Sequence, residues 1–135
     1  MNAAPAKPRP SILVVEDFAM LRSSVMLWLK QRFPWCCIHG VESGEEALEH
    51  ARAKRPDLVL MDLDLPGING FEATSRMKLH APGAAVVMLT MHDTPGHRLA
   101  AADAGAVGYV AKHDMEEQLV GPVQRLLVSR AGASS

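Results

Sequence analysis

Two stretches of this sequence, Ser11-Ile12-Leu13-Val14-Val15 and Asp57-Leu58-Val59-Leu60-Met61, are continuously apolar after their first residue and run straight into acids, Glu16-Asp17 and Asp62. A strand with one solvated face shows a polar residue at every second position, and neither stretch does. Each must therefore be covered on both faces, which is the condition of a parallel sheet flanked by helices. Polar chemistry is left to the strand ends.

The intervening segments read as helices. Over 18–33 the apolar residues Leu21, Val25, Trp28, Leu29 and Phe33 recur at helical spacing until Pro34 stops the pattern. A short strand is expected near 36–41. Ser43 followed by Glu46 then has the form of a capping box, opening a helix that carries Ala47, Leu48 and Ala51 and ends before Pro56. Pro66-Gly67 marks a turn after Asp62. Beyond it the pattern predicts helices at 69–80, 94–104 and 114–129 and strands at 84–90 and 106–110. Five strands alternating with five helices make an α/β, doubly wound parallel sheet with right-handed crossovers. In the last helix Gly121-Pro122 interrupts the series Met115, Leu119, Val123, Leu127. A proline costs about 3 kcal/mol in a helix interior, so a kink or a late start is expected there.

At 135 residues the chain has the length of one domain, expected over 11–129. Residues 1–10, with Pro5, Pro8 and Pro10, read as a disordered leader, and 130–135 as a flexible tail. A formal net charge of −1 gives no field to hold nucleic acid or an anionic membrane. No apolar run approaches the roughly 20 residues of a membrane helix, and the start has no apolar export signal, so a cytoplasmic location is expected. Cys36 and Cys37 are adjacent, unlike a disulfide framework or a metal motif, and are expected to be buried thiols. His39, His50, His80, His97 and His113 show no ligand spacing.

In an open parallel sheet, ligands bind beyond the carboxyl ends of the strands. Glu16, Asp17, Asp62, Thr90 and Lys112 all fall at or just after such ends. Carboxylates brought together repel one another and call for protons or a cation, and Mg²⁺ (or Mn²⁺ in its place) suits oxygen ligands while keeping positions open for phosphate. Lys112 and Thr90 supply a compact cation and a hydroxyl for the remaining phosphoryl oxygens. No glycine-rich phosphate loop follows the first strand, where Glu16-Asp17-Phe18-Ala19 stands, which argues against a tightly bound nucleotide. A carboxylate acceptor remains, and Asp62 is the best placed.

Val14-Val15-Glu16-Asp17, Leu58-Val59-Leu60-Met61-Asp62-Leu63-Asp64-Leu65-Pro66-Gly67, Val87-Met88-Leu89-Thr90 and Gly105-Ala106-Val107-Gly108-Tyr109-Val110-Ala111-Lys112 resemble the receiver domain of two-component response regulators, over about residues 11–129. The resemblance implies the flavodoxin-like, CheY-like fold with strand order 2-1-3-4-5. It implies phosphorylation of Asp62 by a sensor histidine kinase or a His-containing phosphotransfer protein. Mg²⁺ would be bound by Asp17, Asp62 and the backbone carbonyl of Asp64, with Glu16 acting through water. Thr90 and Lys112 would contact the phosphoryl oxygens, and slow self-dephosphorylation would be tuned by Asp64 and His92. Thr90 and Tyr109 hold the places of the family's switch pair, whose movement changes the face made by the fourth helix, fifth strand and fifth helix. A downstream effector or a second copy of the chain would read that face.

Two departures stand out. His113 follows Lys112 where many receivers have proline, which removes an expected cis peptide. Thr94-Pro95-Gly96 is a poor helix opening and puts the start of the fourth helix in question. Two other functions compete. Asp62-Leu63-Asp64 with Thr90 and Lys112 mimics a haloacid-dehalogenase-like phosphohydrolase, although that family carries its Asp-x-Asp on the first strand and an acidic metal pair late in the chain. A phosphorylation-independent interaction module is the third reading, and the complete acidic site argues against it. Fewer than ten residues follow the last expected helix, so no DNA-reading helix-turn-helix is expected in this chain.

Overall fold

The computed structural model describes residues 9–91 and 94–132, the last four by their backbone alone. In chain order the elements are β1 (Ser11–Val15), α1 (Ala19–Arg32), β2 (Cys37–Val41), α2 (Gly44–Lys54), β3 (Leu58–Met61), α3 (Gly70–His80), β4 (Ala85–Thr90), α4 (Pro95–Ala104), β5 (Gly108–Ala111) and α5 (Met115–Gly132). A single 3-10 turn, Lys112–Asp114, joins β5 to α5. All strands pair in parallel, in the order β2-β1-β3-β4-β5.

The apolar strands divide their side chains between two layers. Leu13, Val15, Val59, Met61 and Met88 pack with α2 and α3, and Ile12, Val14, Leu58, Leu60 and Leu89 pack with α1 and α5. Each of these strand residues is at most 4% exposed, and full burial of such a side chain is worth about 1.5–3 kcal/mol. That double coverage is why β3, and β1 after Ser11, carry no polar residue on either face.

Helix starts follow local chemistry. Ser43 Oγ accepts from the Glu46 amide at 3.1 Å, and Asn69 Oδ1 accepts from the Glu72 amide at 2.9 Å. The fourth helix begins at Pro95, with Thr94 as N-cap accepting from the His97 amide. The sequence Thr94-Pro95-Gly96 is thus a helix opening, because the first helical position needs no N–H and proline's fixed φ suits it.

Other expectations shift. The fifth helix starts at Met115 and runs on to Gly132 with Pro122 inside it, so there is no late start. Pro122 removes one backbone donor, but Leu119, Val123 and Leu127 on the same face are 0%, 0% and 3% exposed. Burial of three such residues outweighs a cost of about 3 kcal/mol. Only Cys36 of the cysteine pair is buried, and burial pushes its thiol up to about 11. Cys37, the next residue and the first of β2, points to the other sheet face and is exposed. Of the expected leader, residues 1–8 lie outside the described residues. Arg9 and Pro10 are tied down: Arg9 donates to the Trp35 and Cys36 carbonyls at 3.2 and 3.1 Å, and the Pro10 carbonyl accepts from Cys37 at 2.8 Å. Among the described residues every peptide bond is trans, including that before His113.

Candidate functional site

Register brings the acids together. β1 and β3 align Val15 with Met61, so Glu16 and Asp62 emerge side by side at the carboxyl edge. The ladder continues past the strands: the Glu16 amide donates to Val41 at 3.1 Å and the Asp62 amide to Val15 at 3.0 Å. Backbone pairing, not a mobile loop, therefore fixes both carboxylates. Each residue is 5% exposed, whereas Asp17 lies in solvent. One carboxylate oxygen from each of Glu16, Asp17 and Asp62 lies within 4.8 Å of the others. Hard oxygen donors at that spacing fit Mg²⁺.

β4 and β5 complete the edge. Thr90 is fully buried at the end of β4 and pairs with Ala111, the residue before Lys112. Lys112 reaches across to place Nζ 2.6 Å from Glu16 Oε1 and 3.3 Å from Asp62 Oδ1. Glu16 is also held from its other side, where Oε2 accepts from the Phe18 amide at 3.2 Å and its carbonyl accepts from Arg22 Nη1 at 2.8 Å.

Charge in this pocket is only partly balanced. Burial raises the Asp62 carboxyl from 3.8 to about 6; the Lys112 ammonium and the Asp64 amide pull it down, and the Glu16 charge pushes it up. Burial alone would lower the Lys112 ammonium, but its hydrogen bond to Glu16 and the charges of Asp62 and Glu16 outweigh this and raise it. Lys112 stands closer to Glu16 than to Asp62, and for Asp62 burial outweighs the pull of the lysine.

Sequence reasoning missed two supports. Gly70 opens α3 directly under the acceptor strand, its amide donating to the Leu63 carbonyl at 3.0 Å. A Cβ at Gly70 would collide with the Asp62 backbone carbonyl and come within 2.9 Å of Leu63 Cα. Only glycine allows that approach, and the Asn69-Gly70 helix opening was its sole sequence signal. Arg22, which braces the Glu16 carbonyl, carried no signal.

The remaining site residues fall as follows. Asp64 is exposed two residues beyond Asp62. Tyr109 aligns with Met88 on β4, and strand alternation puts Thr90 and Met88 on one face, so Tyr109 and Thr90 are diagonal neighbours there. Tyr109 is half-buried against the α2–α3 layer, with the Arg98 guanidinium 4.9 Å from its ring centre. His92 lies outside the described residues. No helix among the described residues is long and apolar enough to cross a membrane.

A sequence profile described as "Response regulator receiver domain" matches residues 12–124. The chain belongs to the response regulator receiver domain family. It is 35% identical to the transcriptional activator protein ExaE of Pseudomonas putida over 120 residues, covering 89% of this chain and 56% of that protein. It is 37% identical to the response regulator GacA of Pseudomonas syringae over 101 residues, covering 75% of this chain and 47% of that protein. The chain thus spans about half the length of these relatives. A two-component response regulator of the LuxR family from an Aurantimonas species superposes with a TM-score of 0.82 at 31% identity, covering 90% of this chain and 87% of that one. A CheY-like receiver domain protein from Methanospirillum hungatei shares the fold, with a TM-score of 0.83 at 21% identity over 93% of this chain and 99% of that one. The receiver domain's strand order is the one found here. Family membership also removes the hydrolase reading, and the acidic pair lies just after β1, before Asp62 and not late in the chain.

Proposed function

We propose that this receiver domain works as a phosphorylation switch in a two-component or phosphorelay pathway, with Asp62 as the acceptor. The observation that carries the reading is a buried Asp62 carboxylate clustered with Glu16 and Asp17 and lying 3.3 Å from Lys112. The donor is the phosphohistidine of a sensor kinase or phosphotransfer protein, which places the exchange in the cytoplasm. An Asp62 oxygen attacks phosphorus, the P–O bond forms as the P–N bond breaks, and the leaving imidazole nitrogen takes a proton from water. Asp17, Asp62 and the Asp64 carbonyl would hold Mg²⁺, with Glu16 acting through water. When bound, the cation neutralises charge on the transferring phosphoryl oxygens.

Lys112 and Thr90 meet the other phosphoryl oxygens, replacing water with fixed donors. To Asp64 and His92 we assign the tuning of the water attack that later hydrolyses the acyl phosphate. The added group brings about −1.5 to −2 charges and draws the Thr90 hydroxyl toward it. Space then opens on the sheet face shared with Tyr109, whose ring turns into it and alters the surface of α4, β5 and α5. A downstream effector or a second copy of the chain reads that surface, and nucleic acid does not bind this chain directly.

Intact mass measured after incubation with acetyl phosphate and Mg²⁺ tests the assignment. The wild type should gain one phosphoryl mass, lost on chelation of the metal, and Asp62→Asn should gain none. Equal uptake by both proteins, or none by the wild type, would overturn it.

A further inference from the structure

Resting on that switch reading, we infer that Arg98 of α4 is a positioning residue for Tyr109, setting how readily the ring leaves α4 when Asp62 is phosphorylated. Three observations converge on this contact. The guanidinium carbon of Arg98 lies 4.9 Å from the Tyr109 ring centre, within the range of a cation–π interaction. Tyr109 is half-buried and lies on the Thr90 side of the sheet, so its ring has an apolar wall on one side and an α4 cation on the other. And α4 is thinly anchored: Ala101 is its one buried residue.

A helix attached through so little apolar surface depends on its remaining contacts for its position. The His97 ring stacks on Phe71 of α3 with ring centres 6.4 Å apart, and the Thr94 hydroxyl meets His97 Nδ1 at 2.6 Å. The stack ties the start of α4 to α3, and the hydrogen bond, internal to the helix start, holds the His97 ring in place for it. Arg98, one residue on, ties α4 to β5. Because Tyr109 cannot both lie under Arg98 and turn toward Thr90, the cation–π contact favours the ring position found here. Loss of the contact should shift the resting population toward the turned state by about two- to five-fold, the size expected for such a contact at an exposed site. The shift is carried by one side chain on the solvent side of α4, which leaves the acidic pocket itself unaltered.

Tyr109 is the chain's single tyrosine, so biosynthetic 3-fluorotyrosine gives one ¹⁹F resonance that reports on this ring alone. The full chain is compared as wild type, Arg98→Ala and Arg98→Lys, before and after treatment with acetyl phosphate and Mg²⁺. Arg98→Ala should move the resting resonance toward its phosphorylated position and raise the phosphoryl uptake rate about two- to five-fold. Arg98→Lys, which keeps the cation, should fall between. In a Tyr109→Leu background, Arg98→Ala should leave the uptake rate unchanged. A resting resonance and rate unmoved by Arg98→Ala, in a protein whose resonance does move on phosphorylation, would overturn the role of Arg98 and leave the switch standing. A resonance that phosphorylation itself does not move would overturn the switch and this role with it.

Discussion

Replacing Asp62 by asparagine should make the metal-free protein more stable at neutral pH, although Asp62 is the proposed centre of function. The Asp62 carboxyl rises from 3.8 to about 6 on folding, chiefly through burial. It therefore binds its proton more tightly in the folded than in the unfolded state. The stability it contributes is fully present below about pH 4 and is lost as pH climbs through about 6. At about 1.4 kcal/mol for each tenfold change in proton affinity, the loss reaches about 3 kcal/mol. Asparagine keeps the shape and removes the charge, and Lys112 keeps Glu16 as a partner at 2.6 Å. Urea unfolding in a metal chelator, from pH 4 to pH 8, should show Asp62→Asn gaining on the wild type by up to about 3 kcal/mol, nearly all of it between pH 4 and pH 7. Mg²⁺ at pH 8 should narrow or reverse the gap, because the cation binds the folded wild type through the charge that the variant lacks. A stability difference independent of pH, or a variant less stable than wild type at pH 8 in chelator, would refute the reasoning.

Lys112→Met leaves two buried carboxylates without their cation, so phosphoryl uptake should fall about a hundred-fold, as on loss of a transition-state donor, and stability in chelator should fall most above pH 6. Uptake within a few-fold of wild type would contradict this role. Gly70→Ala drives a methyl group against the Asp62 carbonyl; a loss of about 1–3 kcal/mol in urea unfolding is expected, with slower phosphoryl uptake from the displaced acceptor. Pro122→Ala returns a donor to the α5 backbone and should raise stability by about 1–3 kcal/mol, whereas a fall in the urea midpoint would mean that the proline ring is needed where it lies.

Much of the site was legible because chemistry and topology coincide at strand ends. Apolar strands that stop at Glu16, Asp62 and Thr90 mark the carboxyl edge of the sheet, and the parallel order that follows from them makes those ends neighbours. What was not legible depends on distances across the fold. Lys112 and Glu16 are 96 positions apart, and no spacing rule shows that the lysine prefers Glu16 to Asp62. Gly70 looks like an ordinary helix opening until the Asp62 carbonyl lies against it. Local propensity also misled in both directions. Thr94-Pro95-Gly96 reads as a poor helix opening and is a good one, and the late start that Gly121-Pro122 allows is overridden by the buried Leu119, Val123 and Leu127. The cysteine pair shows the same limit, since Cys36 packs into the layer shared with α1 and α5 while Cys37, the next residue, is exposed.

The central claim is that one carboxylate, Asp62, carries the phosphoryl group. An acyl phosphate is reduced by borohydride to the alcohol, which converts a phosphorylated aspartate to homoserine and leaves free carboxylates untouched. Peptide mapping of the wild type after treatment with acetyl phosphate, Mg²⁺ and then borohydride should find homoserine at position 62 alone. Homoserine at position 17 or 64 with none at 62, or none anywhere in a protein that has gained phosphoryl mass, would contradict the account.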